Sequence, residues 1–184
     1  MDKPALALIE FKAVPRGILA TDAIVKKAPV EILASHPICP GKYMVIFAGE
    51  VADVEESLKA GLTAGGDMVI HHVFLPYIHA DIIPAVSGTT SIKTFGAIGV
   101  VETFSVASCV VAADCAAKTA QVKLVEIRLA NGLGGKAYFV ITGELFDVES
   151  SMEAAVALVR GEGLLADSTV IPAPHPDLLA KGIV

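Results

Sequence analysis

Two stretches decide the fold: Gly41–Leu58, "GKYMVIFAGEVADVEESL", and Gly135–Met152, "GKAYFVITGELFDVESSM". Gly41-Lys42, Gly49-Glu50 and Asp53 recur as Gly135-Lys136, Gly143-Glu144 and Asp147, all at a spacing of 94. Upstream, Glu10, Asp22 and Lys26 recur as Glu102, Asp114 and Lys118 at a spacing of 92, and downstream Pro76 and His79 recur as Pro172 and His175 at 96. Three successive, internally constant offsets mark a tandem duplication of a domain of about 90 residues, an ordinary single-domain size. The expected division is 1–92, first copy with linker, and 93–184, second copy.

Each copy reads the same way. "ALALIEF" is expected as a strand, "GILATDAIVKKA" as an amphipathic helix and "VEILA" and "KYMVIFAG" as strands. "VADVEESLKAGLTA" is expected as a second helix and "MVIHHVFL" as a last strand. Acidic residues follow Gly49, as suits the positive end of a helix dipole. The order β-α-β-β-α-β predicts an α+β, ferredoxin-like domain, with an antiparallel-type sheet and two helices on one face. Residues 80–93, with Pro84 and Gly88, are expected to link the copies.

The 184 residues are 54% hydrophobic and 18% charged, which excludes disorder. A mean hydropathy of +0.66, built from aliphatics with no Trp, predicts that apolar surface is hidden against copies of the same chain. The apolar run "TFSVASCVVAA" falls short of the roughly 20 residues a membrane-spanning helix needs. The start, with Asp2 and Glu10 around a short apolar run, does not read as a secretory signal. A net charge of −6 without Lys/Arg clusters argues against nucleic acid as a partner. Three cysteines without a framework of spacings suit a reducing cytoplasm.

The copies diverge most where "SHPICPGK", Ser35–Lys42, faces "LANGLGGK", Leu129–Lys136, and the second carries the two added residues. Cys39 lies between Pro37 and Pro40, just before Gly41; its counterpart segment has no cysteine. Cys109 and Cys115, six apart on one expected helix, read as core or interface residues. His71 and His72 adjoin on a strand, so they point to opposite faces and do not share a ligand site. "NGLGGK" lacks the full phosphate-loop pattern.

The Asp-xxx-Lys helix, the short strand, the glycine-bearing loop, "GK" and the "GE" helix start, present in both halves, resemble the bacterial microcompartment shell proteins, specifically their tandem-domain members. The resemblance covers the whole chain. It implies a cyclic homotrimer that imitates a hexamer, tiles with other shell proteins in the microcompartment shell, and performs no catalysis. By the same resemblance Lys26 and Lys118 lie on the tile edge. Pro37, Ile38, Pro40 and Gly41, with Gly132, Leu133 and Gly134, form loops around a pore. The "ICPGK" loop resembles the T-type shell protein of propanediol-utilising microcompartments, which implies a 4Fe–4S cluster on the three-fold axis with Cys39 as the ligand from each subunit, serving electron transfer across the shell or delivery of the cluster to an encapsulated redox enzyme. In a ring of three two-copy chains, three such loops would converge, and three thiolates leave a cubane cluster one iron open.

Three alternatives stand beside this reading. One is an open metabolite pore without a cluster, another a cysteine-dependent enzyme using Cys39 with His36, and the third a ferredoxin-like ligand-binding regulator.

Overall fold

The computed structural model describes residues 4–181. The chain divides into two compact units, Met1–Ala80 and Asp81–Val184, earlier than the boundary between 92 and 93 placed on the repeat. The first unit runs β1 (Ala5–Phe11), α1 (Val14–Lys27), β2 (Glu31–Ile38), β3 (Lys42–Gly49), α2 (Val51–Gly65) and β4 (Val69–Leu75). The second opens with a short helix, α3 (Ile82–Val86), then repeats the order as β5 (Ala97–Thr103), α4 (Val106–Thr119), β6 (Val122–Leu129), β7 (Ala137–Gly143), α5 (Leu145–Gly161) and β8 (Leu165–Ile171). It closes with α6 (Pro176–Lys181). The predicted β-α-β-β-α-β order is therefore present twice.

Each unit has a four-stranded antiparallel sheet, ordered β2-β3-β1-β4 and β6-β7-β5-β8. Alternate residues of β1, Ala7, Ile9 and Phe11, face the helices and pack with Ala20, Ile24 and Val54. Their neighbours Leu6 and Leu8 are fully buried on the other face. That two-sided burial is why β1 reads as an unbroken apolar run rather than an alternating one. Glu50 and Glu144 stand at the N-caps of α2 and α5, with Asp53 and Asp147 in the first turns, as the acid-after-glycine pattern predicts.

Two expectations are corrected. The stretch Ser35–Lys42 is mostly strand: Ser35–Ile38 complete β2, Lys42 opens β3, and only Cys39, Pro40 and Gly41 turn between them. Pro37 is tolerated because β2 is an edge strand, where a missing N–H need not cost a ladder bond. The segment between the copies is not a passive link either, since α3 packs on β6 and α4. Ile82 and Ala85 are buried there, and Asp81 pairs with Lys123 of β6 at 3.4 Å. Pro84 sits in the first turn of α3, where its missing N–H breaks no helical bond.

The copies differ in which face they leave bare. In the first unit the α1–β2 face is open: Ile18 is 56% exposed where its repeat counterpart Val110 is 0%. Val25 is exposed and Leu33 half-buried, whereas Ala117 and Val125 are buried. In the second unit part of the outer side of the sheet is open, although Ile98 and Val140 on it are buried. There Val100, Glu102 and Tyr138, with Asp167 and Thr169, line a cavity of about 360 Å³. The first sheet's counterparts Leu8, Glu10 and Met44 are buried.

Candidate functional site: two unequal hairpin tips

The β2–β3 hairpin pairs Ile38 with Lys42, so its tip is the three residues Cys39, Pro40 and Gly41. Cys39 is exposed and the Cys39–Pro40 peptide is cis. Gly41 has φ +70° with open space where a Cβ would be, so backbone conformation alone demands glycine. Pro37 is exposed at the last turnward positions of β2, but Ile38 is buried and presents little to a loop surface.

In the second unit Leu129 pairs with Ala137, which leaves the seven residues Ala130–Lys136 at the tip. The two added residues therefore lie at this turn. Gly132 and Gly134 have φ of +73° and +61°, both exposed, and Leu133 accepts a hydrogen bond from the Lys136 amide at 3.1 Å. The tip is long, glycine-rich and free of thiols, whereas the first is short and carries one.

The base of each hairpin carries an ion pair that residue types alone did not reveal. Lys42 Nζ lies 3.3 Å from Glu10 Oε2, and Lys136 Nζ lies 2.6 Å from Glu102 Oε1. The offsets pair these residues as repeat equivalents, and that was the available signal. Only the β1–β3 and β5–β7 registers bring each lysine to its glutamate. On the opposite, helix-facing side of the sheet from the first pair, Tyr43 Oη and Ser35 Oγ lie 2.8 Å apart, and Ser35 Oγ lies 3.0 Å from Thr21 Oγ1 of α1. This chain of hydroxyls fixes β2 and β3 to the helix beneath the cysteine turn.

Other predicted residues are placed as follows. Lys26 and Lys118 bond Asp22 and Asp114 one turn earlier, at 2.6 and 2.5 Å. Cys109 is buried beside the Thr103 hydroxyl, and burial pushes its thiol up to about 12. Cys115 is half-buried. His71 and His72 are both exposed on β4, an edge strand. His36 lies with Nδ1 3.1 Å from the Pro37 carbonyl, so that nitrogen serves as donor to a backbone acceptor. Among the described residues no group of three or more His, Cys, Asp or Glu within the chain is arranged to hold a metal ion. No helix among them is long and apolar enough to cross a membrane.

The chain is thus a duplicated β-α-β-β-α-β domain with two unequal hairpin tips. Residues 5–78 and 97–174 each match the BMC domain model. The chain belongs to the family of tandem-domain bacterial microcompartment shell proteins, structural proteins and not enzymes. It is 40% identical over 174 residues, 95% of each chain, to the bacterial microcompartment shell protein PduT of Citrobacter freundii. A microcompartment protein of Desulfitobacterium hafniense of known crystal structure is 44% identical, with a TM-score of 0.93 over 97% of this chain and 99% of that one. The carboxysome assembly protein CcmO of Synechococcus elongatus is 26% identical over 95% of this chain and 67% of its own.

Proposed function

We propose that three copies of this chain close head-to-tail into a pseudohexameric shell tile, and that the three Cys39 thiolates meet on its axis to hold one 4Fe–4S cluster. The observation that carries the cluster reading is the exposed Cys39 at the tip of the shorter of two otherwise equivalent hairpins. One chain supplies one such thiol, and no group of three or more His, Cys, Asp or Glu arranged to hold a metal lies among its described residues, so the donor set fits a cluster only where chains meet. Three thiolates leave one iron for a small ligand or a partner. When bound, such a cluster accepts or gives up a single electron.

The chain's own contribution is placement. Pro40 and Gly41 hold the turn, and the Lys42–Glu10 pair and the Tyr43–Ser35–Thr21 hydroxyls hold the strands behind it. A cluster so placed serves electron exchange with a redox enzyme inside the shell, or is itself handed on.

The ring reading is supported by the unequal bare faces. The α1–β2 face of the first unit is more exposed than its counterpart in the second, and part of the outer sheet face of the second is more exposed than its counterpart in the first. A pair of unlike complementary faces makes head-to-tail contacts that close when the rotation permits. Their apolar content gives about 25 cal/mol for each Å² removed from water.

Anaerobic purification followed by iron and sulfide analysis and EPR, on wild type and Cys39→Ser, tests the cluster. Iron near four atoms per trimer in wild type and none in the variant is expected. Equal iron in both removes Cys39 as ligand. A colourless, iron-free trimer with an open channel favours the second reading, a metabolite pore lined by the exposed Gly132 and Gly134 loop.

A further inference from the structure

The last helix, α6, occupies the same place after β8 that α3 occupies after β4. At the spacing of 96, Asp81 and Ile82 become Asp177 and Leu178, so "DII" is answered by "DLL". The two segments are nevertheless in opposite situations. α3 is seated on β6 and α4, with Ile82 fully buried and the Asp81 side chain 19% exposed against Lys123. Among the described residues α6 makes no comparable contact: the Asp177 side chain is 81% exposed, Pro176 is exposed and Leu178 is only half-buried.

The elements beneath α3 also have repeat counterparts. β6 and α4 correspond to β2 and α1, where Ile18 and Val25 are exposed and Leu33 is half-buried, while their counterparts Val110, Ala117 and Val125 are buried. Among the described residues there is thus one seated segment, and one segment of the same pattern without a comparable seat, beside a more exposed copy of the face that the first one covers. We infer that α6 of one copy seats on the α1–β2 face of the next copy, as α3 seats on α4–β6. The occupant is a second copy of this chain, and the inference rests on the head-to-tail trimer proposed above.

One position makes the docking specific and testable. Glu31 stands where Lys123 stands in β6, so the Asp81–Lys123 pair has no counterpart, and Asp177 meets a like charge instead. The α6 contact therefore rests on apolar burial against an electrostatic penalty. It is the weaker of the two seatings, and the one a single substitution strengthens.

The experiment uses the full chain with Glu31→Cys and Asp177→Cys together, treated with a short bis-maleimide. Covalent dimers and trimers on a denaturing gel, with a linked peptide pair spanning positions 31 and 177, are expected. The parent protein, with its three native cysteines, and each variant with only one of the two added cysteines give no such pair. Sedimentation of the untreated protein is run alongside. A trimer that yields no 31–177 link overturns the docking and leaves the trimer standing; a monomer overturns both. As a second measurement, Glu31→Lys slows subunit exchange between trimers several-fold, and adding Asp177→Asn returns it to the wild-type rate. No slowing, or slowing that survives Asp177→Asn, overturns the inference.

Discussion

Lys42 Nζ lies 3.3 Å from Glu10 Oε2, and Glu10 is only 2% exposed. This lysine, at the foot of the Cys39 turn, is the cation that faces the buried carboxylate. Lys42→Met leaves it unpaired and is expected to cost about 1–3 kcal/mol. Lys136→Met is expected to cost less, because the Glu102 side chain is partly open to water. Urea unfolding followed by far-ultraviolet circular dichroism compares the two; equal losses refute the difference drawn between the hairpin bases.

The approach of α1 to the cysteine hairpin is close enough to admit no side chain at Gly17. A Cβ there would come within 2.8 Å of Tyr43 Cβ and strike the ring as well. Tyr43 is buried and its hydroxyl is engaged with Ser35, so the ring has no free direction in which to yield. Gly17→Ala is expected to lower stability by about 1–3 kcal/mol despite the better helix propensity of alanine. A thermal midpoint at or above that of the wild type refutes the contact.

Cys109 gives stability an alkaline dependence. Its thiol has a folded value of about 12 against an ordinary value of 9.0, because burial disfavours the thiolate. Below pH 9 both states hold the proton and the fold keeps its full stability. Above it the unfolded chain loses the proton first, and stability falls by about 1.4 kcal/mol per pH unit until the folded thiol also ionises. Cys109→Ala is expected to flatten that fall between pH 9 and 11, measured by denaturant midpoints. With a thiol reagent at pH 8, Cys39 is expected to react first, and Cys109 only after unfolding.

The lysines assigned to the tile edge are best separated by the partners they hold. Asp22 is exposed, so Lys26→Glu costs the fold only a few tenths of a kcal/mol. Asp114 is buried, so Lys118→Gln is the milder test on that side. Both variants are expected to keep the mass of the assembled tile while forming fewer or smaller flat sheets in electron micrographs. Sheets indistinguishable from wild type remove the edge role.

The repeat made the fold legible because each copy carries the same apolar strands and acid-started helices, and because the offsets change only at turns. The outline of the cysteine turn was legible, but its extent was not. Pro37 and Pro40 bracket a segment that looks like loop until the sheet order places β2 at an edge, and order is a long-range property. The Lys42–Glu10 pair was hidden for a similar reason, since its members lie 32 residues apart and meet only through strand register. α3 and α6 escaped because five and six residues are too few for a helical period to show, and Pro84 interrupts the first.

The edge strands carry one more consequence for a microcompartment shell protein. An unpaired strand edge invites another strand, and a crowded shell presents such edges at high local concentration. β2 carries Pro37, and β6 exposes Lys123 and Arg128. Each device discourages backbone-to-backbone accretion. On the proposed tile, growth of a layer would be left to side chains, whose fit can specify a lattice and stop, where stacked strands would extend into fibres.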